Sequence, residues 1–186
     1  AVLHVSALGL VEMHLNGRRV GDAYFEPGWA DYSRRVHYRT HDVTELVKRG
    51  DNCLGAIVAD GWYAGYVGYG LLVGYGPAKT GRGFYGKTPA LLAQLELEFG
   101  DGTRERVVTD GSWQVTADGP FREADMIMGE VYDARRESRD WAVAGGGGNW
   151  RWEKAVRAEE NGPVRAVFHD TLGAREVDLG FRRPGR

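Results

Sequence analysis

The sequence predicts an all-β protein, a β-sandwich or jelly roll with at most short helical turns. Glycine supplies 28 of the 186 residues, about twice its usual share. Segments rich in β-branched and aromatic residues are short and are bounded by turn residues at close spacing. Long amphipathic helical patterns do not occur in the sequence, which therefore favours packed sheets over a helical fold.

The first two strands show clear alternation. Gly9 interrupts the pattern, and Asn16-Gly17 is a strong signal for a two-residue hairpin. Because side chains alternate between the two faces of a strand, apolar residues two positions apart share the buried face. The predicted core residues are Leu3, Val5 and Ala7 in the first strand and Val11, Met13 and Leu15 in the second.

Several further elements follow. Alternation over residues 36–40 predicts a strand, and a single helical turn comes next. Asp42 or Thr44 can cap that turn, and Gly50 can end it. The continuous apolar run in "NCLGAIVADGW" predicts a strand that is buried on both faces.

The middle of the chain predicts more strands. In "PALLAQLELEF" the apolar residues alternate with polar ones, and a "GDG" turn follows at 100–102. The segment after it predicts a hairpin with its turn at Asp110-Gly111. "MIMGEVYDAR" and "GPVRAVFHD" are additional strand candidates. One face of the first of these strands is predicted to carry Leu91, Ala93, Leu95, Leu97 and Phe99.

The pattern changes towards the C-terminus, where four consecutive glycines and three tryptophans stand without a sustained period. We predict a loop lying across the sandwich there. The predicted organisation is a sandwich over 1–141, the Gly/Trp-rich loop over 142–162, closing strands of the same domain over 163–180 and a tail over 181–186. The chain begins within an alternating pattern and without an initiator Met, which indicates a piece of a longer protein.

Composition argues against several functions. A net charge of −2 and a pI near 6.2 give no electrostatic case for nucleic acid or an anionic membrane. No apolar run approaches the length of a membrane span. Cys53 is the single cysteine and lies in an apolar setting, as expected of an inert thiol. The first residues do not form a signal peptide, which favours a cytoplasmic location.

One string matches the phosphate-loop template. "GRGFYGKT", from Gly81 to Thr88, has the required glycines, lysine and threonine. That template binds phosphate only between a buried strand and a helix N-terminus. Here the preceding residues are turn-like and the following ones alternate as a strand. We therefore predict a loop and no nucleotide cofactor.

The glycine-rich stretch at 59–76 carries several aromatic rings. Sugars have apolar C–H faces that pack on Trp or Tyr, and their hydroxyls bind Asp, Glu and Arg. The alternative is that Trp62 and Tyr63 fill the end of the core, with Gly61 and Gly65 permitting a bend. The aromatic and acidic candidates for a sugar site are Trp29, Asp31, Tyr32, Asp60, Trp62, Tyr63, Tyr66, Tyr69 and Tyr85.

Catalytic and metal motifs are weak. The histidines are scattered, no serine stands in a nucleophile elbow, and a pair of catalytic carboxylates is defined by separation in space. No catalytic residue is therefore predicted. Carboxylates near turns suit Ca²⁺, and Asp31 and Asp60 are the candidate ligands.

Three blocks resemble the N-terminal accessory domain of bacterial α-L-rhamnosidases, glycoside hydrolase family 78. They are the long segment from "ALGLVEMHLNG" to "VADGWYAG", then "FYGKTPALLAQLELEFGDGTRERVVTDGSWQV", then "GEVYDARRESRDW". The blocks occur in the family's order over residues 1–141. After that the likeness fades, and "VDLGFRRPGR" replaces the usual "DLGQN"-like strand.

The resemblance implies a jelly-roll sandwich of galactose-binding-like shape, upstream of an (α/α) barrel that hydrolyses terminal α-L-rhamnose with inversion. The sequence lacks the barrel's long helices, so the fragment itself is expected to be non-catalytic. In some relatives the domain is a calcium-dependent rhamnose-binding module, carbohydrate-binding module family 67, and in others it is structural. Two hypotheses follow: recognition of terminal L-rhamnose on rhamnosylated substrates, or packing against the catalytic barrel to shape its active site.

The expected sugar contacts fall in two groups. The leading group is Asp31 and Tyr32, after "EPGW", together with the residues from Asp60 to Tyr63. The second group is Glu130, Tyr132 and Asp133 in "GEVYDAR". The alternative for the second group is a structural network with Arg135.

Overall fold

The computed structural model describes residues 1–67 and 81–156, and the backbone of two later strands at 166–170 and 173–177. This part of the chain is an all-β sandwich with two short helical segments. Neither helix is long and apolar enough to cross a membrane. The strands are β1 (Val2–Leu8), β2 (Leu10–Leu15), β3 (Arg18–Arg19), β4 (Val36–Asp42), β5 (Leu54–Ala59), β6 (Ala90–Glu98), β7 (Arg104–Val108), β8 (Gln114–Val115), β9 (Phe121–Asp125), β10 (Gly129–Tyr132), β11 (Glu153–Lys154), β12 (Ala166–Asp170) and β13 (Gly173–Val177). The helices are α1 (Gly61–Ala64) and a 3-10 turn (Ala134–Arg136).

Two sheets form the sandwich. The larger has the strand order β13-β12-β4-β1-β6-β7, and the smaller has the order β3-β2-β5. Within the larger sheet β12 pairs with β4 in parallel, while β1 pairs antiparallel with both β4 and β6. Two further two-stranded ladders, β9–β10 and β8–β11, stand beside these sheets. The smaller sheet therefore ends at β5 in the part of the chain that the structure describes.

The main core lies between β1 and β2. The six residues predicted from alternation are each at most 6% exposed, which confirms the prediction for both strands. Ala93 and Leu95 of β6 complete this cluster. Burying a side chain the size of Leu or Val contributes about 1.5–3 kcal/mol relative to leaving it in water. The Asn16-Gly17 hairpin is also confirmed, because both residues have the positive φ of a tight turn and β2 pairs with β3.

The prediction that "NCLGAIVADGW" forms a strand buried on both faces was wrong in its burial. The strand is present as β5, but all six of its residues are only partly buried. The reason is its position at the edge of the smaller sheet, where only β2 pairs with it among the described strands.

One prediction about turns needs correction, and a second is confirmed. Asp110-Gly111 does not close a hairpin, because β7 pairs with β6 and β8 pairs with β11 from much later in the chain. The helical turn after β4 is one isolated turn, in which the Val47 N–H donates to the Val43 carbonyl at 3.2 Å. Asp42 does cap it, accepting from the Thr44 N–H at 3.0 Å.

The alternation of β6 is confirmed at Leu91, Ala93, Leu95 and Leu97, all of which belong to or pack against the main core. Phe99 departs from it and is 47% exposed. The strand ends at Glu98, so Phe99 already lies in the turn towards β7.

Trp141 and Ala142 contact the smaller sheet and its hairpin. The Gly17 N–H donates to the Ala142 carbonyl at 2.8 Å, and the ring of Trp141 meets that of His14 with centroids 5.0 Å apart. Residues 157–162 of the predicted loop and the predicted tail lie outside the described residues.

Candidate functional site

The first candidate site forms where β5 turns into α1. Tyr63 of α1 points inward and is 2% exposed. Its ring meets Tyr32 edge-on at 5.2 Å, and Tyr32 meets Tyr85 at 5.1 Å. Trp62 packs on the same cluster while remaining partly exposed. Tyr32 and Tyr63 are therefore core residues beneath the predicted sugar-binding surface, and they are not exposed on it.

Burial changes the acidity of the tyrosines in this cluster. It raises the pKa of Tyr32 to about 12, with a smaller contribution from Tyr85. Burial also raises the pKa of Tyr85, and the nearby carboxylate of Asp31 adds to that shift. Asp31 therefore lies close to Tyr85 of the tyrosine cluster.

A charged pair stands at the edge of the cluster. Asp60 directly precedes α1, but its carboxylate makes no capping hydrogen bond and instead pairs with the guanidinium of Arg82. The hydrogen bond to Asp60 raises the pKa of Arg82. Asp60 is 23% and Arg82 48% exposed, so the pair is accessible. Asp60 was predicted as a candidate contact from its chemistry, and Arg82 was not.

Asp125 positions the chain around this pair. Its Oδ2 accepts from the Tyr66 N–H at 2.7 Å, and its Oδ1 accepts from the Ile127 and Met128 N–H groups at 2.8 Å each. Tyr66 in turn forms a β-bridge with Arg82. We call Asp60, Tyr66, Arg82 and Asp125, with the tyrosine cluster beside them, the corner site.

The phosphate-loop string has a structural explanation at this corner. Gly83 N–H donates to the Gly65 carbonyl at 3.0 Å, and Gly86 N–H donates to the Tyr63 carbonyl at 3.3 Å. A β-carbon on Gly86 would overlap the phenol of Tyr63. The glycines therefore let the loop pack against α1, and the strand β6 follows them where a phosphate loop would have a helix.

Two other predicted sugar contacts, Asp31 and Trp29, lie on the loop before β4. Asp31 accepts from the Ser33 hydroxyl at 2.5 Å, and this hydrogen bond lowers its pKa. Trp29 is 51% exposed on the preceding loop. Tyr69 lies outside the described residues.

The second predicted group is held by an ion pair. Arg135 donates to both carboxylate oxygens of Asp133 at 2.8 Å each, and this pairing lowers the pKa of Asp133 to about 2. Tyr132 packs against Phe121 at 5.0 Å, and Glu130 is exposed beside it on β10. The geometry matches the structural network that the sequence analysis offered as the alternative.

A second polar surface was not predicted. On the outer face of the smaller sheet, Glu12 Oε1 lies 2.8 Å from His14 Nε2, and Glu12 Oε2 lies 2.8 Å from Arg19 Nε. We call these three residues the polar row. The alternation of β2 predicts this surface in part, because Glu12 and His14 stand between buried residues and must face outward.

Parts of the polar row and of the corner site line one open cleft. Its lining includes Glu12, Arg19, Tyr24, Trp141, Asp60 and Arg82. The cleft follows the exposed edge of β5 and continues past apolar side chains of β7 to β10, among them Val107, Val115, Phe121 and Tyr132. Position in the chain gave no indication that Trp141 would reach this surface.

The predicted calcium ligands do not converge on one point of the described structure. Asp60 is paired with Arg82, and Asp31 with the Ser33 hydroxyl. In the ranges that the structure describes, no three His, Cys, Asp or Glu side chains come together as a metal site requires. These two carboxylates alone fall short of the six to eight oxygens that Ca²⁺ takes.

The fold and the cleft together define a β-sandwich module with a polar, aromatic-edged surface. Comparison with known families is specific: the model of the α-L-rhamnosidase N-terminal domain matches residues 1–173. The chain belongs to that family.

Its relatives are much longer proteins. The chain is 47% identical to an α-L-rhamnosidase of Streptomyces avermitilis over 187 aligned residues, covering 95% of this chain and 17% of that protein. It is 39% identical to an α-L-rhamnosidase of Alteromonas sp. over 145 residues, covering 77% of this chain and 15% of that protein. The chain thus spans less than a fifth of these relatives, and it resembles a domain of a larger polypeptide.

Solved structures agree with this assignment. The Streptomyces avermitilis α-L-rhamnosidase complexed with L-rhamnose matches with a TM-score of 0.74 at 45% identity, over 87% of this chain and 15% of that one. The α-L-rhamnosidase from Aspergillus terreus matches with a TM-score of 0.72 at 34% identity, over 89% and 19%.

Proposed function

We propose that this domain recognises terminal L-rhamnose on rhamnosylated substrates without catalysing their hydrolysis. The polypeptide that carries it would be an inverting α-L-rhamnosidase, with its catalytic barrel elsewhere in the chain. The observation that carries the proposal is the Asp60–Arg82 pair, exposed in a cleft beside a tyrosine cluster.

The chemistry of that pair suits a sugar. A carboxylate and a guanidinium held side by side offer acceptors and donors to neighbouring hydroxyl groups, and charge-assisted hydrogen bonds of this kind are the stronger ones. Tyr66 and the partly exposed Trp62 supply apolar surface for the C–H face and methyl group of rhamnose. Asp125 fixes the backbone at Tyr66 and so limits the reorganisation that binding would require.

The absence of catalysis is part of the proposal. The carboxylates along this stretch of the cleft are engaged: Asp60 with Arg82, and Glu12 with Arg19 and His14. A general acid in a glycosidase must present its carboxyl group to the glycosidic oxygen, and these carboxylates already bind cationic partners of their own.

The test is calorimetric titration of the 186-residue chain with L-rhamnose, once with Ca²⁺ and once with a chelator. We expect saturable heat with a dissociation constant in the millimolar range or tighter. The Arg82→Ala variant should bind L-rhamnose about tenfold or more weakly. Arg104→Ala is the matched control, because Arg104 forms an exposed ion pair with Glu98 at 2.8 Å on β7. Heat only with Ca²⁺ would make calcium part of the recognition, and equal heat in both conditions would remove calcium from the proposal.

A second function has its own supporting observation. Val115, Phe121, Met128, Val131 and Tyr132 are each between 39% and 58% exposed. Exposed apolar side chains in such number favour a surface that packs against another domain. If rhamnose gives no heat under either condition, a structural role against the catalytic barrel becomes the better interpretation. In that case Val131→Asp should lower the thermal stability of the complete enzyme while leaving the isolated domain folded.

A further inference from the structure

The polar row is bordered by aromatic rings at both ends. Trp141 meets His14 with ring centroids 5.0 Å apart, and the guanidinium of Arg19 lies 4.9 Å from the ring centroid of Tyr24. Tyr24 is 76% exposed, so one face of this ring is open to solvent. Rings that flank hydrogen-bonding groups are the arrangement expected of a surface for sugars with both apolar and hydroxylated faces.

The side chains of the row are held in place by one another. Glu12 lies between His14 and Arg19, and Arg19 Nη2 also donates to the Ala23 carbonyl at 2.5 Å. Their side chains are 37%, 17% and 29% exposed respectively, which leaves them partly buried yet reachable. A surface positioned in this way needs little ordering when a ligand binds.

The charges of the row favour a neutral ligand. One carboxylate faces one guanidinium, so neither an anion nor a cation meets an excess of opposite charge. A nucleic acid or phosphorylated ligand would require a surplus of basic groups. Hydroxyl groups can use the carboxylate as acceptor and the guanidinium as donor.

The row is continuous with the corner site. Along the sheet, Glu12 pairs with Ile57, and Leu10 pairs with Ala59, the residue just before Asp60. The distance along β2 from His14 to Leu10 is about 13 Å at the usual rise per residue. That length suits a short oligosaccharide extending from a sugar held at Asp60 and Arg82.

We propose that Glu12, Arg19, Tyr24 and Trp141 bind the sugars that follow a terminal rhamnose, so that the domain recognises neutral rhamnose-capped oligosaccharides. This inference rests on the proposed function for the position of the terminal sugar. The row itself is a separate set of subsites on the outer face of the sheet.

The test compares two ligands on the 186-residue chain: L-rhamnose, and a neutral tetrasaccharide capped by α-L-rhamnose. We expect the tetrasaccharide to bind about tenfold more tightly. Tyr24→Ala should weaken tetrasaccharide binding about three- to tenfold and leave the rhamnose constant unchanged. Val108→Ala is the control, since Val108 is 40% exposed on β7 and does not line the cleft. Circular dichroism establishes that both variants fold.

The outcomes separate the two proposals. If both ligands bind with equal affinity, or if Tyr24→Ala weakens the binding of both equally, the proposed subsites are wrong. The proposal of rhamnose recognition would then still stand. Tetrasaccharide binding that depends on Tyr24 without detectable rhamnose binding would support the row and overturn the corner site. Binding of neither ligand would overturn both.

Discussion

Trp141 packs directly on the backbone of Gly55, so closely that a β-carbon at position 55 would come within 2.7 Å of ring atom Cζ3. Gly55 lies opposite His14 in the ladder between β2 and β5. The missing side chain therefore creates the space in which Trp141 reaches the smaller sheet. The same contact holds one aromatic end of the proposed oligosaccharide surface.

Gly55→Val should displace Trp141. The added methyl groups cannot share space with the ring, and overpacking of this kind costs about 1–3 kcal/mol. Chemical unfolding followed by tryptophan fluorescence measures both the lost stability and the changed environment of the indole. Gly100→Ala is the matched control, because a β-carbon there meets no atom within 4 Å. Equal stability of the two variants would contradict the structural role of Gly55.

Glu26→Gln should destabilise the loop between β3 and β4. Glu26 is 7% exposed, and its carboxylate lies 3.3 Å from His41 Nε2 and 3.9 Å from Arg39 Nε. Removing one charge from a largely buried group leaves its partners poorly compensated, and we expect a loss of about 1–3 kcal/mol. Thermal or urea unfolding at neutral pH measures it.

Glu98→Gln provides the comparison for Glu26. Its ion pair with Arg104 is similarly charged but exposed, with side-chain exposures of 63% and 77%. Surface pairs contribute about 0–1 kcal/mol, so this variant should stay close to the parent. A larger effect at Glu98 than at Glu26 would show that burial does not set the strength of these pairs.

Local patterns were sufficient for much of the fold. The buried faces of β1 and β2 follow from residues two positions apart, and the Asn16-Gly17 turn needs only its own backbone preference. The burial of β5 was mispredicted because it depends on which strand lies beside it. Tertiary packing determines that neighbour, and the sequence of the strand itself does not predict it.

The candidate site was less accessible to sequence reasoning. Asp60 and the aromatic residues near it were identified because their chemistry suits a sugar. Arg82 was missed because the string around it resembles a phosphate loop, and its pairing with Asp60 arises only when that loop folds back onto α1. Glu12 and Arg19 meet across a hairpin, so the alternation of β2 could have predicted that Glu12 faces outward. Trp141 comes from a distant segment, and no local pattern predicts its contact with His14.

Stability should fall at high pH through Tyr32. Its pKa is about 12 in the folded protein and about 10 in an unfolded chain. Between these values the unfolded chain releases a proton that the folded protein retains, so rising pH favours unfolding. We expect Tyr32 to account for about 2 kcal/mol of lost stability, beginning near pH 10 and complete near pH 12.

Tyr32→Phe isolates this effect. The Tyr32 hydroxyl is buried and has no hydrogen-bond partner among the residues that the structure describes, so the variant should match or exceed the parent in stability at pH 7. Urea unfolding at a series of pH values from 8 to about 11.5 should show a shallower decline for the variant. Tyr24→Phe, at a 76% exposed position, should keep the parent's decline. Identical slopes in all three proteins would remove Tyr32 as the cause.

Gly86→Ala should lower both the stability of the domain and its affinity for a sugar at the corner site. A β-carbon at this position would overlap the Tyr63 phenol, so the loop that carries Arg82 must move away from α1. We expect a loss of about 1–3 kcal/mol in stability from the displaced ring. Because Arg82 moves with the loop, affinity for L-rhamnose should fall together with stability. Gly111→Ala is the control, since a β-carbon there meets open space on the turn after β7. A variant that loses stability but keeps its rhamnose constant would show that the Asp60–Arg82 pair is not where the sugar binds.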